Sequence, residues 1–311
     1  TGRDRILKFD GHFHGWHDEA MAYFVAPETA GLNPGTIEHV AMGDPDDVES
    51  VAEFVAENQV AGIILEPGGG SSGALPWSRQ FLAALREATR AHGVMLIFDE
   101  VVSGFRYSPG GVQALVGITP DITVLGKIVC GGLPGAALVG RADIMSVFGS
   151  GTRIGERHVR VPHTGTFNAN PLSAAAGLAL LQHVQDGGPQ EAARFATAKL
   201  VDKVNAAAEA VGVDVKLHHH DTSIFHISIG NRAPDAPQYT LAPVALFSRN
   251  SACYFTLRQA LLIEGVDCHP LHGWVSAVHD DATVDFTAAA FARAFRRVRK
   301  ERGFELLGHE S

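Results

Sequence analysis

The chain has 311 residues, 46% hydrophobic and 19% charged, an ordinary globular composition with room for a large domain and a smaller one. A formal net charge of −9 argues against nucleic acid or an anionic membrane as a partner. No apolar stretch reaches the length of a membrane span, the first residues lack a signal peptide's basic-then-apolar pattern, and three cysteines (Cys130, Cys253, Cys268) fit a reducing cytoplasm.

In chain order, "TGRDRILKFDGHFHGW" has no initiator Met and reaches a strand, Ile6 to Phe9, almost at once, so we read the chain as lacking an N-terminal part. "GIILEP" (62–67) reads as an apolar strand ending in Glu66. Over 77–93, Phe81, Leu82, Leu85 and Ala88 recur at helical spacing before a Gly93 stop. Strands follow at "VMLIFDE" (94–100), "DITVLGK" (121–127) and "GAALVG" (135–140), then a small-residue helix at 170–185 with Pro171 in its first turn. This alternation predicts an α/β domain, a mostly parallel sheet between helices. Near 185–190 the texture changes. An amphipathic helix (191–212), an alternating strand (222–230), a loop (233–238) and a cation-ended helix (286–301) predict a smaller α+β domain. We place the boundary between residues 187 and 188.

Val94 to Phe98 run straight into Asp99 and Glu100, and a carboxylate at the end of a buried strand needs a partner. Lys127 ends the next strand, 28 residues later, inside apolar and glycine-rich sequence. Both side chains would emerge near the carboxyl ends of neighbouring parallel strands, where α/β proteins bind ligands. Such a pair suits a pyridoxal phosphate enzyme: the lysine forms a Schiff base with the cofactor aldehyde and the aspartate pairs with the pyridinium nitrogen. A structural Asp–Lys ion pair is the competing reading. "GGGSSG" (68–73) matches a dinucleotide fingerprint, which would make the chain a nicotinamide oxidoreductase. Against that, Glu66 puts negative charge where pyrophosphate would sit, and a helix beginning at Pro76 and Trp77 excludes the third glycine.

The segments "GRDRILKFDGHFHGWHD" (2–18), "GIILEP", "LIFDEVVSGFR" (96–106), "GGVQALVGITPDITVLGKIVCGGLPGAALVGRADIM" (110–145) and "HTGTFNANPLSAAAGLALL" (163–181) resemble class III (ω-type) aminotransferases, with the closest look to the glutamate-1-semialdehyde aminomutase-like branch. "LLIEGV" (261–266) and "SAVHDDATVD" (276–285) extend the resemblance into the smaller domain. It implies pyridoxal phosphate fold type I, pyridoxal 5′-phosphate as cofactor, and a homodimer with the active site at its interface. It implies a role for each matching residue. Lys127 carries the cofactor aldimine and moves the proton; Asp99 holds the pyridinium proton. Val101 packs on one ring face and Phe13 on the other, in a Phe13-His14-Gly15 segment where the family usually has Tyr-His-Gly. His14 supports from behind, Thr166 binds the phosphate of the partner's cofactor, and Glu66 and Glu100 lie near the site in supporting roles.

The resemblance implies a ping-pong transfer between an amino acid or amine donor and a keto acid or aldehyde acceptor. Residues 16–35 lack the Gly/Ser-rich look of the aminomutase gating loop, which favours transfer between molecules over the intramolecular aminomutase reaction. The family's phosphate-binding glycine turn belongs upstream of these residues, so a truncated non-catalytic homologue stays open as a third reading. Sixteen histidines raise the question of a metal, but His12 with His14, the run His218 to His220, and Cys268 with His269 and His272 make no closed four-ligand set, and we expect none. Arg106 and Arg141 are candidates for a substrate carboxylate or for structural ion pairs, with a structural role favoured for Arg141.

Overall fold

A computed structural model of the chain describes residues 1–9, 11–22, 31–43, 47–57, 60–69, 77–230, 243–301 and 303–304. The backbone divides into two compact units, one holding residues 1–68 and 77–186, the other running from Gly187 onward.

The first unit is built on a six-stranded sheet: β1 (Arg5–Phe9), β2 (Val40–Gly43), β3 (Val60–Leu65), β4 (Met95–Asp99), β5 (Ile122–Leu125) and β6 (Ala137–Gly140). Their order is β2-β1-β3-β4-β5-β6, parallel except for β6, which runs antiparallel to β5. The helices are α1 (Asp18–Met21), α2 (Pro34–Ile37), α3 (Val48–Glu57), α4 (Arg79–Ala91), α5 (Gly111–Val116), α6 (Ala142–Met145) and α7 (Pro171–Val184), with a hairpin of β7 (Thr152–Ile154) and β8 (Arg157–Val159) before α7. The core gathers Leu7 and Phe9 of β1, Ile63 and Leu65 of β3, and Leu96 and Phe98 of β4 against Val51 and Val55 of α3 and Leu82 and Leu85 of α4. Every second residue of each strand faces this layer, as the pleat requires. Helix α4 starts two residues later than its apolar spacing predicts, because Ser78 accepts from Phe81 N–H and caps it.

Strand β5 stops at Leu125 rather than at Lys127. Gly126 adopts an extended conformation and Lys127 opens a 3₁₀ turn, Lys127–Cys130, with φ +48°. The start of β5 is pinned by Asp121, whose carboxylate accepts from Leu96 N–H (2.9 Å), Arg86 (2.8 Å) and Arg141 (2.9 Å). Burial pushes this carboxyl up, but those three donors together hold it below its ordinary value. Arg141 is therefore structural, as its sequence position suggests.

The second unit comprises α8 (Gly188–Val211), β9 (Val215–His219), β10 (Ile224–Ile229), α9 (Pro243–Ile263), β11 (His272–Trp274) and α10 (Asp281–Lys300). The three strands form an antiparallel sheet in the order β11-β10-β9. Leu217, Phe225, Ile227 and Ile229 meet Leu200 and Val204 of α8, Tyr254 and Leu257 of α9, and Phe291 and Phe295 of α10. The alternation over 222–230 suggests a strand with one polar face, yet Ile224 and His226 are buried too. The predicted loop at 233–238 lies outside the described residues.

His226 pairs across the sheet with His218 on β9 and His272 on β11, with ring centroids 5.4 and 6.1 Å away. His220 lies 6.4 Å from His226, and His269 stacks on His272 at 4.3 Å. Burial, then repulsion from neighbouring histidines and Lys216, lowers His218 to about 4. Burial and His219 bring His220 to about 4, while burial, His218, His272 and His220 put His226 well below its usual value.

Two predictions follow from this packing. Folded-state histidine pKa values below the unfolded value mean that the unfolded chain binds more protons, so the stability these groups allow is full above about pH 6.5 and is lost as pH falls toward about 4. Thermal melts should therefore give a Tm that drops between pH 7 and 5, and His226→Phe should flatten that slope; an equal slope in both proteins contradicts this. In the first unit, the buried Glu100 accepts at Oε2 from Val112 N–H (2.8 Å) and Ser103 (3.1 Å), and at Oε1 from Gln113 N–H (3.1 Å). Glu100→Gln places an amide NH₂ against one of these donors and should cost about 2–4 kcal/mol in urea unfolding. An unchanged urea midpoint would show that Glu100 does not hold α5.

Candidate active site

The carboxyl end of β4 builds the site. Asp99 is its last residue and is 6% exposed. Its Oδ2 accepts from His14 Nδ1 at 2.8 Å and its Oδ1 accepts from Val101 N–H at 3.1 Å. The His14 side chain is also buried, and with Nδ1 donating to Asp99 its Nε2 makes no hydrogen bond among the described residues. His14 comes from the 11–17 loop after β1, where Gly15 turns the chain at φ +114°. In the same loop Phe13 is half-buried with its ring 5.3 Å from Trp16, and His12 is buried and accepts at Nδ1 from Glu66 N–H (2.9 Å). Burial, with His14 and Lys8 beside it, lowers His12 to about 3, so its ring is neutral and Nδ1 is free to accept.

Asp99 pairs in register with Val124 of β5, so Lys127 follows three residues beyond that partner. Lys127 is an exposed residue, yet partial desolvation is the largest influence on its amine and lowers its pKa; Glu66 and Asp99 pull it back up, and Arg106 lowers it. The amine thus lies within electrostatic reach of both carboxylates. Its left-handed φ is uncommon for a side chain of this size and belongs with strain found at functional positions. Val101 packs its methyls against Gly126, where an added Cβ would stand 3.1 Å from Val101 Cγ1.

His14, Asp99, Val101, Glu66 and Lys127 are thus brought together. Thr166 is not: it is exposed in the turn before α7 and makes no hydrogen bond among the described residues. Of the glycine motif at 68–73, only Gly68 and Gly69 are described; Tyr107 donates its hydroxyl to Gly68 C=O at 2.7 Å. Glu100 departs from its expected place beside the site. Being next to Asp99 on the strand, it leaves the opposite face of the sheet and caps α5. Gly111 is held to glycine there, at φ +70°, since an added Cβ would fall 2.3 Å from Glu100 Oε2. Arg106, named from the sequence as a candidate for a substrate carboxylate or a structural ion pair, acts electrostatically on Lys127, and desolvation lowers its guanidinium to about 10. Among the described residues no group of three or more His, Cys, Asp or Glu could hold a metal ion, and no helix is long and apolar enough to cross a membrane.

The donor set fits a cofactor with an aldehyde, a basic ring nitrogen and two flat faces. There is a lysine amine of lowered pKa, a buried carboxylate held by His14, a valine methyl surface and a half-buried aromatic ring. The family model "Aminotransferase class-III" matches residues 1–216. Glutamate-1-semialdehyde 2,1-aminomutase from Pyrobaculum calidifontis is 34% identical over 97% of this chain and 68% of its own length; the enzyme of that name from Laribacter hongkongensis is 36% identical over 96% and 70%. Among solved structures, an omega-transaminase from Sphaerobacter thermophilus superposes with a TM-score of 0.79 at 30% identity, covering 96% of this chain and 69% of that one. A glutamate-1-semialdehyde aminomutase from Pseudomonas aeruginosa, in complex with PMP, shares the fold with a TM-score of 0.77 at 24% identity, covering 94% and 66%. On this evidence the chain belongs to the class III aminotransferases, has pyridoxal phosphate fold type I, and uses pyridoxal 5′-phosphate as its cofactor.

Proposed function

We propose that the chain is an intermolecular aminotransferase, moving an amino group from an amino acid or amine to a keto acid or aldehyde. The observation that carries this reading is the place of Lys127, in the turn just beyond β5 and three residues past the register partner of Asp99, where the charges of Asp99 and Glu66 act on its amine. The bound cofactor supplies an electron-accepting ring that stabilises negative charge at the substrate carbon. Lys127 is the residue that would hold the cofactor through its aldehyde and release it to an incoming amine. Its neutral Nζ would take the proton from the substrate carbon and deliver it to the carbon that was the cofactor's aldehyde, as transfer of the amino group requires. Asp99 would keep a proton on the ring nitrogen, and His14, donating to Oδ2, fixes the carboxylate for that task. Val101 and Phe13 cover the ring faces; Phe13 has no hydroxyl to offer. Glu66, 3% exposed, acts on the lysine electrostatically and favours its charged form.

Thr166 finds its use in a dimer. Residues 138–178 leave Leu138, Val139, Ile154, Val161, Phe167, Leu172 and Leu178 at least 40% exposed, a run of apolar side chains that a second copy would cover. Thr166 lies within this run and would reach the neighbouring copy's cofactor phosphate. The aminomutase reading is the second one, favoured by the names of the 34–36% identical relatives.

Three measurements test these readings. With an amino donor alone, an aminotransferase releases about one equivalent of free keto product per site and stops until an acceptor is added; an aminomutase retains the nitrogen and releases no such product. Because Lys127 acts as a neutral base, single-turnover rates should rise with pH and level off below the ordinary lysine value; a rate that falls across that range contradicts the assignment. Wild type should sediment as a dimer, while Leu172→Asp with Leu178→Asp should give inactive monomer. An active monomer of that variant would remove Thr166 from the site.

A further inference from the structure

We infer that Lys8 is a positioning residue that holds the loop carrying His12, Phe13 and His14 in place for cofactor binding; this rests on the reading of Asp99 and Phe13 as cofactor contacts. Lysine is among the least often buried residues, yet Lys8 is 1% exposed, in the middle of a strand. Leu7 and Phe9 on either side of it face the core, so Lys8 leaves the opposite face of the sheet. Its Nζ donates to Ala20 C=O and to Ala22 C=O (2.9 Å), at the end of the single-turn helix α1. Ala20, Met21 and Ala22 are all buried, so those carbonyls require a donor from the protein.

The contact joins β1 to the far end of α1, so that residues 11–17 run between two tied elements. Everything this segment brings to the site hangs between those two anchors: Phe13, His14 on Asp99, and His12 on Glu66 N–H. The positive charge of Lys8 acts on His12 as well, helping to keep that ring neutral and therefore an acceptor for the end of β3. Neither effect touches the reacting atoms; both fix where Phe13 and His14 stand.

The test is a pyridoxal phosphate titration of the full apo chain, read by absorbance, together with amide hydrogen exchange over residues 11–17. Lys8→Met keeps the apolar stem and removes the charge and the donors. It should weaken cofactor affinity by about tenfold or more and speed exchange in 11–17. Leu82→Ala, a cavity variant in the core of α4, should lose stability without changing either readout. Should Lys8→Met fail to fold, Lys8→Gln, with a shorter amide NH₂ in place of the ammonium and no charge, carries the same two measurements and should fall between. Cofactor affinity within about twofold of wild type and unchanged exchange at 11–17 would overturn the inference. Failure of the wild-type chain to bind the cofactor would instead sink the reading of the site, while the exchange comparison would still decide whether Lys8 holds the loop.

Discussion

Asp99 and Glu100 leave the end of β4 one after the other, so their side chains emerge on opposite sides of the sheet, and each is a buried charge that must be compensated. Asp99 is met by His14 and by Val101 N–H. Glu100 is met by the first N–H groups of α5 and by Ser103. Burial raises the carboxyl of Glu100 and those hydrogen bonds work against it. The rest of the first unit depends on this arrangement. One carboxylate stays available to a ligand because a histidine orients it; the other anchors the helix that follows and is consumed in doing so. Exchanging the two residues would put the capping group in the site and the ligand partner against α5.

The lysine is placed by a second constraint. Gly126 lets the chain leave β5 beside Val101 without a Cβ in the way, and Lys127 follows in a left-handed turn, within electrostatic reach of the acids. Two opposing influences then set its charge. Desolvation favours the neutral amine and Arg106 adds to that, while Glu66 and Asp99 favour the ammonium. A base that must be neutral to act, yet stay near a carboxylate, needs this balance.

Much of this was legible in the sequence, for identifiable reasons. Apolar runs ending in Glu66 and Asp99 gave the parallel strands, because buried strands are continuous in hydrophobicity and their ends are not. Lys127 stood out as a lysine in apolar and glycine-rich surroundings. Lys8 did not, because an ordinary "RILKF" strand with two charged positions reads as half-exposed; the burial of Lys8 depends on α1 folding over it. Nothing local distinguishes Glu100 as a helix cap, since the capped N–H groups lie twelve and thirteen residues on. The histidine row across β9, β10 and β11 was hidden similarly: His218 and His220 were visible as a run, but their meeting with His226 and His272 is set by strand register. Thr166 is legible only through the family, because its work would lie in another copy of the chain.

The central claim, that Lys127 at the end of β5 holds the cofactor beside Asp99, is tested most directly by borohydride fixation. The full chain, incubated with pyridoxal 5′-phosphate and reduced, would be digested and mapped by peptide mass spectrometry. The account predicts a single reduced cofactor adduct, on the peptide carrying Lys127, with the buried Lys8 unmodified. An adduct on Lys8, or no adduct at Lys127 in protein that has bound the cofactor, would contradict it.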